Sequence, residues 1–241
     1  MTTESTAEQL TLSVSIRDDA RFANYYAGPN AQVVHSIQDQ WRTDIHGENA
    51  GEQFIFLWGS EGVGCSHLLQ AACHYAEGLG HNSVYLPLDE LVAFETSVFE
   101  GLESLQLVAL DHLQAIAGNP VWEEALFHLF NRLRESGTRL LIAADAGPTH
   151  LNLDLPDLVS RLSWGISYQV APLEDIDKAQ ALLLRAKQRG LNMPNEVANF
   201  ILSRGSRKMA DICQELEVLD KASLSTQRRL TIPFVKEVLD L

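Results

Sequence analysis

The sequence predicts an α/β fold in which helices cover both faces of a five-stranded parallel sheet, followed by a small helical bundle. Five apolar runs of strand length alternate with longer helical segments, and each run is apolar at nearly every position. Such runs are typical of parallel strands that are buried on both faces. After Pro172 the strand-like runs stop and only helical patterns continue. The five runs are Phe54–Trp58, Ser83–Leu88, Leu105–Asp111, Arg139–Asp145 and Ile166–Ala171.

Length and composition indicate how the chain is organised. Its 241 residues suffice for one large or two small domains with a buried core. Apolar residues make up 46% of the chain and charged residues 21%, values that exclude a disordered chain and a coiled-coil rod. We predict a flexible tail over residues 1–20, an α/β domain over residues 21–171 and a helical domain over residues 172–241.

Several helices have recognisable ends. One is predicted to begin at Pro120, carry its apolar side chains on one face and stop at Gly137. Another is predicted at His67–Leu79, directly after the first strand. In the helical domain, Gly190 and Gly205 end two of the periodic segments.

Charge and cysteine content argue against several classes of protein. Lys and Arg number 18 against 32 Asp and Glu, and the resulting net charge of −14 disfavours direct, charge-driven DNA binding. Cys65, Cys73 and Cys213 lack the spacing of a zinc site or a disulfide framework. The N-terminus does not resemble a signal peptide, and no apolar run reaches the roughly 18 residues of a membrane helix. We therefore expect a cytoplasmic protein with no membrane segment.

A glycine-rich motif lies between the first strand and the helix that follows it. Residues 59–66, GSEGVGCS, match the phosphate-binding pattern Gly-x-x-x-x-Gly-Lys-Ser/Thr except that Cys65 replaces the lysine. Glycines let backbone N–H groups face a phosphate, and the helix N-terminus adds a favourable field. The motif predicts phosphate binding, and the alternative is a glycine-rich turn without a ligand. The predicted contact residues are Gly59, Gly62, Gly64, Cys65, Ser66 and His67.

A second motif is the apolar strand that ends in Asp111. In proteins with a phosphate-binding loop, a carboxylate at this place holds Mg²⁺ beside the loop. Asp111 together with Ser66 therefore forms a predicted magnesium site. The next position, where a second acid often activates water, holds His112. This histidine is either a weak base or a polar loop residue.

Three further residues complete an ordered pattern. Asp145 ends the fourth strand, Arg161 precedes the fifth, and Arg207 begins a helix of the second domain. With the two motifs, this order resembles the AAA+ ATPases of the clade around the bacterial replication initiator DnaA. The resemblance runs from Phe22, in a segment that looks like the adenine side of the site, to the end of the chain. It implies that Arg161 is an arginine finger, Asp145 a sensor I residue and Arg207 a sensor II residue.

Two features narrow the resemblance to the regulatory, DnaA-homologous inactivators of that clade. No basic helix-turn-helix domain follows the helical lid, and the segment QLTLSV stands at residues 9–14. The segment resembles the motif by which Gln9, Leu10 and Leu12 would dock on the sliding clamp of DNA polymerase III. The resemblance implies DnaA as a second partner and leaves open whether the chain forms homo-oligomers.

The resemblance therefore implies regulatory inactivation of the initiator. A clamp-tethered protein would supply Arg161 to ATP held by DnaA and so prevent re-initiation of replication. Lacking the loop lysine and the second acid, the chain itself would have weak or no ATPase activity, with ADP as its resident nucleotide and ATP as the alternative. Two other functions stay open: an autonomous ATPase such as a helicase loader, and a DNA-binding replication factor.

Overall fold

The computed structural model describes residues 16, 17, 19–41 and 51–241. At its centre is a five-stranded sheet in which every pair of neighbouring strands is parallel, in the order β2-β3-β4-β1-β5. The predicted α/β class is thereby confirmed. The strands are Phe54–Trp58 (β1), Ser83–Pro87 (β2), Leu107–Asp111 (β3), Arg139–Ala144 (β4) and Ile166–Gln169 (β5).

Nine α-helices occur within the described residues, and several short 3-10 turns connect them to the strands. Five belong to the sheet domain: Ala31–Asp39 (α1), Cys65–Gly78 (α2), Leu88–Leu91 (α3), Pro120–Ser136 (α4) and Pro156–Leu162 (α5). The other four are Asp175–Gln188 (α6), Asn195–Arg204 (α7), Met209–Thr226 (α8) and Ile232–Leu239 (α9). The predicted domain boundary at residues 171/172 falls in the connection between β5 and α6. None of the helices in the described ranges is long and apolar enough to cross a bilayer.

The sheet is buried on both faces, which explains why its strands are almost continuously apolar. Side chains alternate along a strand, so neighbouring residues enter different cores. Phe56 packs into the core with α4, whereas Ile55 and Leu57 pack into the core with α2. Both cores are apolar, and a strand between them has few positions at which a polar side chain would be solvated.

Helices α6 to α9 enclose a separate core. Leu182, Ile201, Leu216 and Phe234 lie at its centre, one from each helix, and all four are buried. This bundle is the helical domain that the periodic segments after Pro172 predict.

The topology gathers the loops that matter for function. In a parallel sheet the carboxyl ends of all strands lie at one edge. Residues that follow β1, β3 and β4, which are neighbours in the sheet, are therefore brought close together.

Candidate functional site

A cavity of about 640 Å³ lies where the carboxyl edge of the sheet meets the helical bundle. Its walls come from three parts of the chain: the segment before α1, the loops after β1, β3 and β4, and the helices α6 and α8. All six residues predicted to contact a phosphate line it, together with Asp111 and Asp145. The structure therefore brings most of the predicted site into one cavity.

The backbone of the glycine-rich loop explains its composition. Gly62 and Gly64 have φ angles of +83° and +108°, a region that other residues rarely adopt. A Cβ atom on Gly64 would lie 3.0 Å from the ring of Tyr25, and one on Gly59 would lie 2.8 Å from the carbonyl oxygen of Val170. The loop thus requires glycine at these positions for conformation or for space.

Cys65 stands at the first position of α2, where the phosphate-binding pattern has lysine. Burial of the thiol, reinforced by the nearby Asp111 carboxylate, raises the pKa of Cys65 to about 12. The side chain is therefore neutral at physiological pH and offers no positive charge to a ligand.

Asp111 is buried at the end of β3 and is held by two donors. The hydroxyl of Tyr85 donates to its Oδ2 at 2.7 Å, and the backbone N–H of His112 donates to its Oδ1 at 2.9 Å. The Asp111 carboxylate and the Ser66 hydroxyl line the same cavity, and oxygen atoms of these kinds are the ligands Mg²⁺ prefers. These two residues fit a magnesium ion that also binds a nucleotide.

Only one of the two predicted sensor residues, Asp145, lines the cavity. Asp145 follows β4. Arg207 is exposed in the turn before α8 and is absent from the cavity wall, to which α8 instead contributes Met209, Ala210, Cys213, Gln214 and Glu217. Arg207 lies one residue before Lys208, the N-cap of α8, and is therefore not part of the helix whose side chains line the cavity. Of the residues predicted to bind the nucleotide and its metal ion, all except Arg207 line the cavity.

Sequence reasoning missed the cations that do line the cavity, which in the described part of the chain are Arg17, Arg185 and Arg189. Arg185 of α6 donates from Nη2 to Nδ1 of His67 at 3.1 Å, and its Nη1 lies 3.7 Å from Asp19. A guanidinium cannot accept a hydrogen bond. Nδ1 of His67 therefore accepts, and its Nε2–H donates to the carbonyl oxygen of Arg21 at 3.0 Å.

His67 is consequently a neutral imidazole. Burial, and the positive charge of Arg185 beside it, lower the pKa of His67 from its ordinary 6.5 to about 4. At physiological pH it adds no charge to the cavity and acts as an acceptor for Arg185.

Aromatic side chains of the segment before α1 cover the other side of the cavity. Tyr25 and Tyr26 line it, and the ring of Tyr25 lies 5.3 Å from that of His67. Phe22, where the resemblance to the adenine-side segment begins, instead packs edge-on against Tyr75, with ring centroids 5.7 Å apart. Tyr25 and Tyr26 are therefore the aromatic residues available to a ligand in this cavity.

Arg161 lies outside the cavity, in the last turn of α5. Its guanidinium carbon Cζ stands 4.0 Å from the ring centroid of Trp164 and 5.9 Å from that of Phe127. It forms no ion pair with any carboxylate in the described part of the chain. The structure thus presents a half-buried guanidinium on an aromatic surface, away from the chain's own cavity.

Glu123, which the sequence did not single out, supports the helix that carries Arg161. Its side chain is fully buried in the first turn of α4. The carboxylate accepts hydrogen bonds from the backbone N–H groups of Gly118 (2.8 Å), Asp154 (3.1 Å) and Leu155 (2.7 Å). Leu155 immediately precedes α5, so this carboxylate fixes the start of that helix.

The residues predicted to dock on a sliding clamp, Gln9, Leu10 and Leu12, lie outside the residues that the structure describes. Their role stays a prediction.

Solved structures of similar fold include domain III of the replication initiation protein DnaA from Thermotoga maritima. Its sequence is 21% identical to this one. The match covers 94% of this chain and 98% of the DnaA domain, with a TM-score of 0.74. AMPPCP-bound DnaA from Aquifex aeolicus is 22% identical over 86% of this chain and 67% of its own, with a TM-score of 0.65. The Holliday junction branch migration motor RuvB of Thermotoga maritima is 14% identical. The match covers 91% of this chain and 73% of the RuvB chain, with a TM-score of 0.64.

Two family models match the sequence itself. The model of the bacterial DnaA ATPase domain matches residues 16–169, and the model of the Hda lid domain matches residues 175–239. The first match spans the sheet domain and more than half of the chain, and the second spans the helical bundle. The chain therefore belongs to the family of bacterial DnaA ATPase domains, as an AAA+ protein that carries an Hda-type lid.

Proposed function

We propose that this protein inactivates a DnaA-type replication initiator by stimulating hydrolysis of the ATP that the initiator holds. The observation that carries the proposal is the position of Arg161. Its guanidinium lies outside the chain's own cavity and has no carboxylate partner in the described residues. It is therefore available to a nucleotide bound by another molecule. An arginine supplied in trans can accelerate phosphoryl transfer by about 10³ to 10⁵.

Trp164 prepares Arg161 for this role. A guanidinium stacked on an aromatic face keeps its planar edge, with the N–H donors, pointing away from the ring. That edge can bond two oxygens of a γ-phosphate, where negative charge develops during hydrolysis. A lysine would present a point charge without this fork.

The chain's own cavity would hold ADP. The glycine-rich loop would surround the phosphates, and Tyr25 and Tyr26 would cover the base side. Structures of related initiators with the ATP analogue AMPPCP support a nucleotide of this class. Ser66 and Asp111 would hold Mg²⁺, which neutralises charge on bound phosphates.

Poor intrinsic turnover follows from the same residues. The neutral thiol of Cys65 gives the β- and γ-phosphates no cation, and His112 replaces the acid that would activate water. The nucleotide would then stabilise the fold rather than be consumed.

We further propose that Gln9, Leu10 and Leu12 tether the protein to the sliding clamp. Replacing Gln9 and Leu10 by Ala should abolish clamp binding while the thermal unfolding of the protein stays unchanged. Unaltered clamp affinity would refute the tether.

An autonomous ATPase is the second candidate, because Ser66, Asp111 and Asp145 converge on one cavity as a hydrolytic site requires. Steady-state turnover of the isolated protein distinguishes the two functions. The regulatory function predicts negligible turnover, and rapid turnover would favour the alternative.

The experiment that tests the proposal follows a single turnover of labelled ATP preloaded on the initiator. Hydrolysis should accelerate when this protein and DNA-loaded clamp are added together. It should stay near its intrinsic rate with the clamp alone. No acceleration by the complete mixture would overturn the proposal.

A further inference from the structure

We propose that Arg185 of α6 contacts the phosphate chain of a nucleoside diphosphate in the cavity, where it supplies the positive charge that Cys65 does not. This inference rests on the proposed nucleotide binding and assigns its phosphate specificity to a residue of the helical bundle.

Geometry places the guanidinium of Arg185 beside the first turn of α2, directly after the glycine-rich loop. Its Nη2 donates to Nδ1 of His67 at 3.1 Å, and His67 directly follows Ser66 in the first turn of α2. The side chain is only 15% exposed although it lines the cavity. Arg185 is therefore a largely buried residue of the cavity wall and not a solvated surface arginine.

The charges around the cavity single out Arg185 among its cations. Arg17 is 66% exposed and forms an ion pair with Asp19 at 3.2 Å. Arg189 pairs with Asp220 at 3.8 Å. Arg185 is the least exposed of the three, at 15% against 27% for Arg189, and it donates its hydrogen bond to a neutral imidazole. Its contact with Asp19 at 3.7 Å is about as long as that of Arg189 with Asp220.

A diphosphate is a better partner for Arg185 than the imidazole is. Hydrogen bonds between a guanidinium and a phosphate are charge-assisted and frequently bidentate. The four carboxylates other than Asp19 on the described cavity wall, those of Glu61, Asp111, Asp145 and Glu217, form no ion pair with Arg185. A phosphate at the loop would therefore meet a donor whose charge is incompletely balanced.

This contact would also couple the two domains. His67 belongs to the sheet domain and Arg185 to the bundle, so a phosphate between them would hold both against one ligand. A nucleoside, which has no phosphate, would occupy the aromatic side of the cavity without connecting the two domains.

Calorimetric titration with ADP, AMP and adenosine, using the full-length protein, tests the inference. Arg185→Ala should weaken ADP binding by at least about tenfold, since a hydrogen bond to a charged group is lost. Adenosine binding should change by less than about twofold. Arg185→Lys should restore part of the loss, because it returns the charge without the fork. Arg204→Ala, which removes an exposed arginine at the end of α7 outside the cavity wall, is the matched control and should bind ADP as the wild type does.

The other possible results distinguish a failure of the role assigned to Arg185 from a failure of nucleotide binding itself. If the wild type binds ADP and Arg185→Ala binds it equally well, only the role of Arg185 is overturned. Equal losses for ADP and adenosine would make Arg185 a packing residue and would also overturn the inference. If the wild type binds no ADP, the proposed resident nucleotide fails, and the inference fails with it.

Discussion

The guanidinium of Arg161 stacks on the indole of Trp164, with Cζ 4.0 Å from the ring centroid. Trp164 is 50% exposed, which is unusual for so large an apolar side chain. A second guanidinium, that of Arg134, lies 4.7 Å from the same ring. The stacking gives Trp164 a role in orienting Arg161 that accounts for its exposure.

We predict that Trp164→Ala lowers the stimulation of initiator-bound ATP hydrolysis by about tenfold, because Arg161 loses the ring that orients it. Arg134→Ala is the matched control, since it removes a cation from the same ring and leaves the Arg161–Trp164 stack. Single-turnover hydrolysis measures both variants. Full stimulation by Trp164→Ala would show that the ring does not position Arg161.

Glu123→Gln should lower the free energy of unfolding by about 2–4 kcal/mol, because a buried carboxylate that accepts three backbone N–H bonds is replaced by an amide with one acceptor oxygen. Glu124→Gln changes the exposed neighbour and should cost less than about 0.5 kcal/mol. Urea unfolding followed by circular dichroism gives both values. Equal, small changes in the two variants would contradict the role assigned to Glu123.

Gly64→Ala should weaken nucleotide binding by at least about tenfold, since residues other than glycine strain at φ +108° and the new Cβ would press on Tyr25. Gly78→Ala, at the other end of α2, meets no neighbouring atom within 4 Å. It should leave binding unchanged and add up to about 1 kcal/mol of stability. Titration with ADP measures the affinity of both variants. Unchanged affinity in Gly64→Ala would show that the glycine-rich loop does not bind the phosphates.

The sheet could be predicted because burial on both faces leaves a clear mark on sequence. Helix α1 could not, since only Val33 and Ile37 of its nine residues are buried. Helix α5 is seven residues long and offers too few turns for a periodic pattern. Local patterns thus reveal long or fully buried elements and miss short, partly exposed ones.

The residues of the site likewise divide into those that a local motif predicts and those that only tertiary packing brings together. The glycine loop is a local motif and was found from spacing alone. Arg185 was missed because its contact with His67, 118 positions earlier, arises only when the chain folds and α6 approaches the first turn of α2. Arg207 stays outside the cavity because it lies in the turn before α8, one residue ahead of the N-cap Lys208. Tertiary packing, which one sequence does not display, decides such placements.

The pKa of His67 predicts a loss of stability in acid. Between about pH 6.5 and pH 4 the unfolded chain binds a proton at this imidazole while the folded protein keeps it neutral. Acidification through that window should therefore lower the free energy of unfolding by up to about 3 kcal/mol. His67→Gln, which keeps one donor and one acceptor, should flatten the dependence.

Urea titrations at several pH values compare the two proteins. The folded-state pKa of Asp19 is lowered below 3.8, so its stabilising effect is lost only at more acidic pH. An identical decline in wild type and His67→Gln would show that another group titrates.

Whether Arg161 acts on ATP held by another molecule is tested by single-turnover hydrolysis of initiator-bound ATP, with DNA-loaded clamp and either wild-type protein, Arg161→Ala or Arg161→Lys. We expect Arg161→Ala to fold, to bind ADP and to bind the clamp normally but to lose the stimulation, and Arg161→Lys to recover little of it. Undiminished stimulation by Arg161→Ala would show that Arg161 is not an arginine finger acting in trans.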